Sequence, residues 1–194
     1  MEIVPLKKGL RVDLTKSNPG VTKYRVGLGW DTNNYDGGHE FDLDVVAFLL
    51  DKDGLASSAE HLIYYRHPSL DNQSIELTGD NRTGKGSGDD ESILIDLSKI
   101  PEEVDSIAFA VAIHEAEIRN QNFGMVENAY IHILNQDTDE ELILYDLGED
   151  FSLETAVVAG KLYRKNGEWK FNAIGSGVQG GLGALCVKYG LAVN

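Results

Sequence analysis

The chain has 194 residues, enough to bury a sizeable core, and its length predicts a single domain over residues 1–194. It carries 32 acidic and 17 basic residues, and the resulting net charge of −15 disfavours direct binding to nucleic acid or anionic lipid and favours cations and basic partners. Cys186 is the only cysteine, which excludes an intrachain disulfide and is typical of a reducing cytosol.

Short strand-like segments, each bounded by turn residues, recur along the chain. They lie at 11–15, 22–30, 41–50, 61–66, 73–78, 92–97, 106–113, 129–136, 141–147, 157–165 and 168–174. In the third, Phe41, Leu43 and Val45 share one face, while Asp42, Asp44 and Val46 share the other. Eleven such segments with few helical patterns predict an all-β fold, either a β-sandwich or a barrel.

Turn residues predict how some of these segments connect. Asn166-Gly167 is a strong type I′ hairpin signal, and the sequence DKDG at 51–54 is typical of a turn, although its two aspartates leave a metal role open. We expect the strands at 22–30 and 41–50 to form a hairpin.

Two segments have helical character, 115–122 and 180–190, and Gly190 is expected to end the second. The sequence GSGVQG at 175–180 matches the dinucleotide-binding pattern G-x-G-x-x-G. Too few residues follow it for the second strand and ribose-binding acid of such a site, so we interpret it as a flexible turn before the last helix.

The N-terminal sequence MEIVPLKKGL lacks the long apolar segment of a signal peptide. The longest apolar runs, at 45–50 and 107–113, are far shorter than the about 18 residues of a membrane-spanning helix. These features predict a cytoplasmic protein that does not itself span a membrane.

The sequence GDNRTGKGSGDDE, at 79–91, concentrates glycines and acids in one loop. It resembles the start of a phosphate-binding P-loop, but Gly86 replaces the required hydroxyl residue and four acids would repel a phosphate. It also departs from an EF-hand, because Arg82 and Lys85 occupy ligand and glycine positions. The oxygen-rich loop nevertheless suits calcium, which accepts carboxylate and carbonyl oxygens in flexible geometry.

Further acids add to this pattern, namely Asp31, Asp42 and Asp44. If they met the loop, each pair of unit charges 4 Å apart would repel by about 4 kcal/mol at an effective dielectric near 20, and a divalent cation would reverse the sign. The alternative, a solvated acidic surface, stays open at this stage. Zinc is disfavoured because the five histidines and Cys186 show no close ligand spacing.

Several motifs together resemble the TerD family of tellurite-resistance and bacterial general stress proteins. They are VGLGWD at 26–31, FDLD at 41–44, GDNRTGKGSGDDE at 79–91, DLSKIP at 96–101, QNFGMVENAYI at 121–131, YDLGED at 145–150, LYRKNGEWKFNAIGSG at 162–177 and the closing GGLGAL. The resemblance covers essentially the whole chain. It implies a cytosolic calcium-binding β-sandwich of two mainly antiparallel sheets with one or two short helices, and no established enzyme activity.

The resemblance also implies a set of calcium ligands. These are the carboxylates or amide of Asp31, Asp42, Asp44, Asp80, Asn81, Asp89, Asp90 and Glu91, carbonyls of Gly84 and Gly86, and, less strongly, Glu115. Lys85 and Ser87 stand where similar proteins often carry acids.

The function expected from these observations is a non-catalytic calcium-binding stress protein whose ordered acidic loops form a surface for partners. The resemblance implies that these partners are other Ter proteins, including a membrane-integral one. Two alternatives are a metal-dependent phosphoester hydrolase, because clustered carboxylates also hold catalytic metal pairs, and a cyclic-nucleotide-binding protein.

Overall fold

The computed structural model describes residues 4–5, 7–31, 38–79, 82–85, 88–147 and 151–192. Within them the chain forms two six-stranded sheets, which we name A and B. In spatial order, sheet A contains β1 (Val4–Pro5), β10 (Glu141–Asp146), β9 (Tyr130–Asn135), β3 (Lys23–Gly29), β7 (Glu91–Asp96) and β6 (Ile75–Thr78). Sheet B contains β2 (Arg11–Val12), β12 (Glu168–Val178), β11 (Ala156–Lys165), β8 (Ser106–Ile113), β4 (Leu43–Leu50) and β5 (Leu62–Ile63).

The strands are paired antiparallel in both sheets, except that β1 runs parallel to β10. Short helices occupy the connections: α1 (Leu14–Ser17), α2 (Ala116–Arg119), α3 (Gly181–Lys188), and 3₁₀ turns at Ala59–His61 and Phe123–Met125. The predicted β-sandwich of two mainly antiparallel sheets is therefore confirmed.

Strand β4 shows why these residues form a central strand, since every one of its positions is buried. Leu43 and Val45 point into the main core between the sheets, as the alternating pattern predicts. Val46 and Phe48 point to the outer face of sheet B, where α3 covers them. The rings of Phe48 and Tyr189, the residue after α3, lie 4.6 Å apart.

All eleven predicted segments contain a strand, but several are shorter than predicted. The segment 11–15 forms strand only at Arg11–Val12, because α1 begins at Leu14, and 61–66 forms strand only at Leu62–Ile63. Strand β1 was not predicted, since two residues are too few to show an alternating pattern.

The predicted hairpin between 22–30 and 41–50 is wrong. Strand β3 pairs with β7 and β9 in sheet A, whereas β4 pairs with β8 and β5 in sheet B. The strands β3 and β4 are therefore consecutive in the chain but lie in different sheets. Sequence alternation reports which face is buried but does not report which sheet a strand joins.

Two predicted turns are confirmed. Asn166 and Gly167 have φ of 56° and 78°, as a type I′ turn requires, and connect the paired residues Lys165 and Glu168. At 51–54, the Asp51 carboxylate accepts hydrogen bonds from the backbone of Asp53 and Leu55, which is the turn role expected for an aspartate.

Both predicted helices are present, with α2 and α3 lying within the predicted ranges. Gly190 follows α3 with φ of 81°, which fits its predicted role in ending the helix. The interpretation of 175–180 as a flexible turn is wrong in part, because residues 175–178 belong to β12 and residues 176–178 pair with β11. Of that motif, Gly180, with φ of 100°, is the residue that immediately precedes α3.

Two side chains join the sheets at one end of the sandwich. Glu91, at the start of β7, is 2% exposed, and its carboxylate accepts a 2.8 Å hydrogen bond from the backbone N–H of Val45 in β4. Trp30, at the end of β3, is 4% exposed and donates from its indole nitrogen to the carbonyl of Phe41, at 3.0 Å. Each bond links sheet A to the segment that begins or forms β4.

We expect Trp30→Phe to lower the free energy of unfolding by about 1–3 kcal/mol, because the buried Phe41 carbonyl loses its donor. Urea denaturation followed by far-UV circular dichroism measures the change. Trp169→Phe is the matched control, because phenylalanine keeps an aromatic face under the Arg164 guanidinium, 4.6 Å from the Trp169 ring. Equal losses in the two variants would contradict a specific cross-sheet role for the Trp30 indole.

Candidate functional site

The acidic loop of residues 79–91 is attached to the end of β3 through Trp30. The Trp30 backbone N–H donates to the Asp90 carboxylate at 3.1 Å, and Asp90 donates from its own N–H to the carbonyl of Leu28 at 2.7 Å. Gly84 packs so closely that an added Cβ would lie 2.8 Å from Trp30 atoms, and its φ is 65°. Both features explain why a glycine stands there.

Asp31 follows Trp30 directly and therefore lies at the same end of sheet A. Its backbone N–H donates to the carbonyl of Glu127 at 3.0 Å, and its carboxylate accepts a 2.6 Å hydrogen bond from the Asn128 side chain. Asp31, Gly84 and Asp90 are thus gathered around Trp30. We call these three residues and Trp30 the Trp30 group.

Asp89 lies elsewhere, on the outer face of sheet A. Its carboxylate is 2.7 Å from Nε2 of His132 and 3.7 Å from Nε of Arg25, and it accepts a 3.3 Å hydrogen bond from the Tyr130 hydroxyl. Gly27 makes room for this arrangement, since an added Cβ would lie 2.2 Å from the Asp89 carboxylate. The structure therefore engages Asp89 with cationic and hydroxyl side chains rather than with the Trp30 group.

His132 lies between two carboxylates, because its Nδ1 is 2.6 Å from Glu141. Burial lowers the pKa of His132, but the hydrogen bonds and negative charges of Asp89 and Glu141 outweigh burial and raise it above its ordinary value. Burial and the Asp89 charge also raise the pKa of Tyr130 to about 12.

Asp42, Asp44 and Glu115 form another group, on the outer face of sheet B. Arg119 lies 3.6 Å from Asp42 and 3.2 Å from Glu115, and Nδ1 of His114 lies 3.5 Å from Asp44. These carboxylates face cationic or titratable partners supplied by α2 and the end of β8. The predicted same-face pairing of Asp42 with Asp44 is correct, but the hairpin that placed Asp31 beside them is not.

Of the remaining predicted ligands, one lies in the core and three lie outside the described residues. Glu91 points into the core and joins the sheets, while Asp80, Asn81 and Gly86 lie outside the described residues. Lys85 lies 3.5 Å from the Glu40 carboxylate, so its ammonium group already faces an acid.

Among the described residues, no three or more histidine, cysteine, aspartate or glutamate side chains are arranged to hold a metal ion. The side chains beside Trp30 that can bind a cation nevertheless offer oxygens, namely the carboxylates of Asp31 and Asp90. Oxygen donors fit calcium and do not fit the nitrogen and sulfur preference of structural zinc. The chemistry of the site therefore fits calcium, with the rest of the loop needed to complete a coordination shell.

Sequence reasoning missed the side chains that position the acids: Trp30, Asn128, Arg25, Tyr130 and His132. No local pattern marks them, because each contacts an acid more than 35 positions away in the chain. Their only signal is membership in a family motif: Trp30 lies in VGLGWD at 26–31, and Asn128 and Tyr130 lie in QNFGMVENAYI at 121–131.

Where the structure describes the chain, it contains no helix with the length and apolarity needed to cross a bilayer.

Comparison with known proteins gives consistent results. The family model described as "TerD domain" matches residues 1–189. The chain is 57% identical to "General stress protein 16U" of Bacillus subtilis (strain 168), over 98% of this chain and 99% of that protein. It is 48% identical to "Tellurium resistance protein TerD" of Serratia marcescens, over 97% of each. These names describe stress and resistance, and neither names a reaction.

A solved structure supports the fold independently. The crystal structure of a homologue of telluride resistance protein (TerD) from Streptomyces coelicolor A3(2) superposes with a TM-score of 0.72. The match covers 86% of this chain and 95% of that one at 22% sequence identity, so it shows a shared fold.

The raised pKa of His132 predicts a pH dependence of stability. Because the folded protein holds this proton more tightly than the unfolded chain, the contribution is fully present below about pH 6.5 and is lost as pH rises through the folded pKa. We expect an NMR titration of His132 with a midpoint above 6.5, lowered in Asp89→Asn and in Glu141→Gln. A midpoint at or below 6.5 in the unmodified protein would contradict the two-carboxylate environment.

Proposed function

Because the chain belongs to the TerD family, whose members include tellurium-resistance and general stress proteins, we propose that it is a non-catalytic calcium-binding stress protein. In this proposal calcium orders the acidic loop of residues 79–91, and the ordered loop forms part of a surface for partners. The observation that supports it most directly is the Trp30 group, which holds two segments of that loop beside Asp31.

The placement of Asp31, Gly84 and Asp90 supports part of the proposed ligand set. Asp31, Asp90 and the carbonyl of Gly84 would hold the ion, with Asp80, Asn81 and Gly86 of the same loop completing its shell. Calcium needs six to eight oxygens, and a glycine-rich loop can supply several of them from its backbone. Asp89, Glu91, Asp42, Asp44 and Glu115 contact other protein groups, and we assign them positioning roles.

Electrostatics explains why an ion would matter here. Asp90 of the loop and Asp31 lie on either side of Trp30, in a chain that already carries a net charge of −15. Repulsion of about 4 kcal/mol for each close pair at an effective dielectric near 20 opposes ordering of the loop. A bound divalent cation converts that repulsion into attraction and favours one loop conformation.

A non-catalytic role is supported by the names of the relatives, which describe stress and resistance. The hydrolase alternative predicts a preference for magnesium or manganese and turnover of a phosphoester. Magnesium requires a shorter, nearly octahedral shell than calcium. Comparison of the two cations therefore separates these functions.

We expect calcium to raise the melting temperature of chelator-treated protein. Binding to the folded state alone stabilises by about 2.7 kcal/mol at a hundredfold excess over Kd, and magnesium should give a smaller shift. Differential scanning fluorimetry combined with calorimetric titration measures both the shift and the stoichiometry.

Substitution of single aspartates tests where the calcium ion binds. Asp90→Asn and Asp31→Asn should each reduce the calcium-dependent shift, whereas Asp53→Asn, in the turn at 51–54, should leave it unchanged. No shift at millimolar calcium would remove the proposal. If Asp90→Asn and Asp31→Asn both kept the full calcium-dependent shift and Asp53→Asn lost it, the ion would instead bind at the turn at 51–54.

The implied partners, other Ter proteins including a membrane-integral one, are also part of the proposal. The acidic surface favours basic partner segments. We expect co-purification of such partners from cells to increase with calcium and to fall with Asp90→Asn. Calcium-independent recovery of the same partners would contradict a surface formed by the ordered loop.

A further inference from the structure

The basic residues of this acidic chain are concentrated in two segments. Residues 7–25 contain six basic residues and one acid, Asp13, and residues 156–192 contain five basic residues and one acid, Glu168. In the whole chain, by contrast, acids outnumber basic residues by 32 to 17. The fold brings strands from both segments together, because β2, β12 and β11 are consecutive at one edge of sheet B. The net charge of the chain therefore does not describe this edge, which is basic.

Strand pairing shows which side chains point outward at this edge. Leu162 in β11 and Phe171 in β12 belong to the core between the sheets, so the residues on either side of them point to the outer face. Arg11 and Lys161 are both paired with Asn172 and therefore lie on the same face. We call the four outward cations the basic face: Arg11 in β2, Lys170 in β12, and Lys161 and Lys165 in β11.

Neighbouring acids neutralise a small part of this charge. The Lys170 ammonium group donates a hydrogen bond to the Asp13 carboxylate. The pKa of Asp13 lies below its ordinary value because of that hydrogen bond and because the charges of Lys170, Lys16 and Lys165 are close. One carboxylate is thus surrounded by three lysines. Within the part of the chain that the structure describes, the other three members of the basic face form no ion pair.

A lysine-rich turn extends the basic face beyond β2. Lys7, Lys8 and Leu10 are all exposed in this turn. Its backbone is fixed to β12, since the N–H of Gly9 donates to the carbonyl of Ala173 at 2.9 Å and the N–H of Ala173 donates to the carbonyl of Leu10 at 2.8 Å. The structure therefore holds two further cations and one aliphatic side chain beside the basic face.

Exposed apolar side chains accompany these cations. Leu10 is 37% exposed in the turn. Helix α3 lies against β11 and β12 on the outer face of sheet B, and its Val187 is 67% exposed next to the exposed Lys188. Anionic headgroups attract lysines, and the boundary between headgroups and acyl chains accepts aliphatic side chains. Nucleic acid would satisfy the lysines but offers no comparable apolar layer.

The predominance of lysine also favours a lipid surface over an acidic protein segment. Lysine presents a compact point charge, whereas arginine presents the planar fork that matches a single carboxylate. Three of the four cations in the basic face are lysines, and those of the adjoining turn and of α3 are lysines as well. Such a set suits a diffuse layer of phosphate groups.

We propose that the basic face, together with the turn at 7–10 and α3 beside it, binds the surface of a bilayer that contains anionic phospholipid. The acidic loop of residues 79–91 leads into β7 of the other sheet. At physiological salt, interactions between exposed charges fade beyond about 8 Å, so the nearby lysines dominate the contact. The inference does not depend on the calcium proposal.

The test is co-sedimentation of the full-length protein with vesicles that contain about 30% phosphatidylglycerol in phosphatidylcholine. Vesicles of phosphatidylcholine alone are the matched control. We expect binding at least about tenfold tighter to the anionic vesicles, and loss of that difference at about 0.5 M salt. The titration is made in chelator and in excess calcium, and the preference for anionic vesicles should persist in chelator. A preference seen only with calcium would overturn the proposal, because calcium bridging between protein acids and lipid phosphates would then explain it.

Two double variants with the same change in net charge test the assignment. Lys161→Gln with Lys165→Gln should weaken binding to the anionic vesicles at least about tenfold, because each lysine near the surface contributes about fivefold. Lys23→Gln with Lys99→Gln removes two exposed lysines from β3 and from the segment after β7, both in sheet A, and should leave binding unchanged. Far-UV circular dichroism confirms that both variants are folded.

Three results would overturn the proposal. The first is equal binding to anionic and neutral vesicles at low salt. The second is an equal loss of binding in the two double variants, which would show that net charge alone governs the interaction. The third is equally tight binding to a short DNA duplex at the same phosphate concentration, which would identify a general polyanion surface instead of a lipid surface.

Discussion

A carboxylate buried between two sheets must find hydrogen-bond donors, and Glu91 finds one in the backbone of the opposite sheet. Together with the indole of Trp30, this bond fixes the distance between β7 and β4 at one end of the sandwich. The acidic loop of residues 79–91 ends at Glu91 and is bound to Trp30 through Asp90, so the two residues that join the sheets also hold the C-terminal end of the loop. Order in the loop and integrity of the sandwich end are therefore coupled, and a change at either one affects the other.

Among the described residues, the aspartates predicted as ligands lie in three environments rather than in one. Asp31 and Asp90 lie around Trp30, Asp89 lies with His132 and Arg25 on the outer face of sheet A, and Asp42 with Asp44 lies on the outer face of sheet B. Two of these groups carry their own cationic or titratable partners. In the Trp30 group, the Asp31 and Asp90 carboxylates accept hydrogen bonds from amide N–H groups.

Local patterns predicted much of the fold and less of the site. Alternation in 41–50 identified which side chains enter the core, and Asn166-Gly167 identified a turn, because both depend on neighbouring residues alone. The partner strand of β3 depends on contacts far along the chain, so the expected hairpin with β4 was wrong. The motif at 79–91 was recognisable as a loop rich in oxygen ligands, but nothing in the local sequence pairs His132 with Asp89 or Asn128 with Asp31.

The short edge strands of the two sheets affect how the protein behaves at high concentration. Sheet B is bounded by β2 and β5, and sheet A is bounded on one side by β1, each only two residues long. Strands this short offer few unpaired backbone groups to a neighbouring molecule. Sheets bordered in this way resist edge-to-edge aggregation, even though the central strands are strongly apolar and would be prone to self-association if exposed.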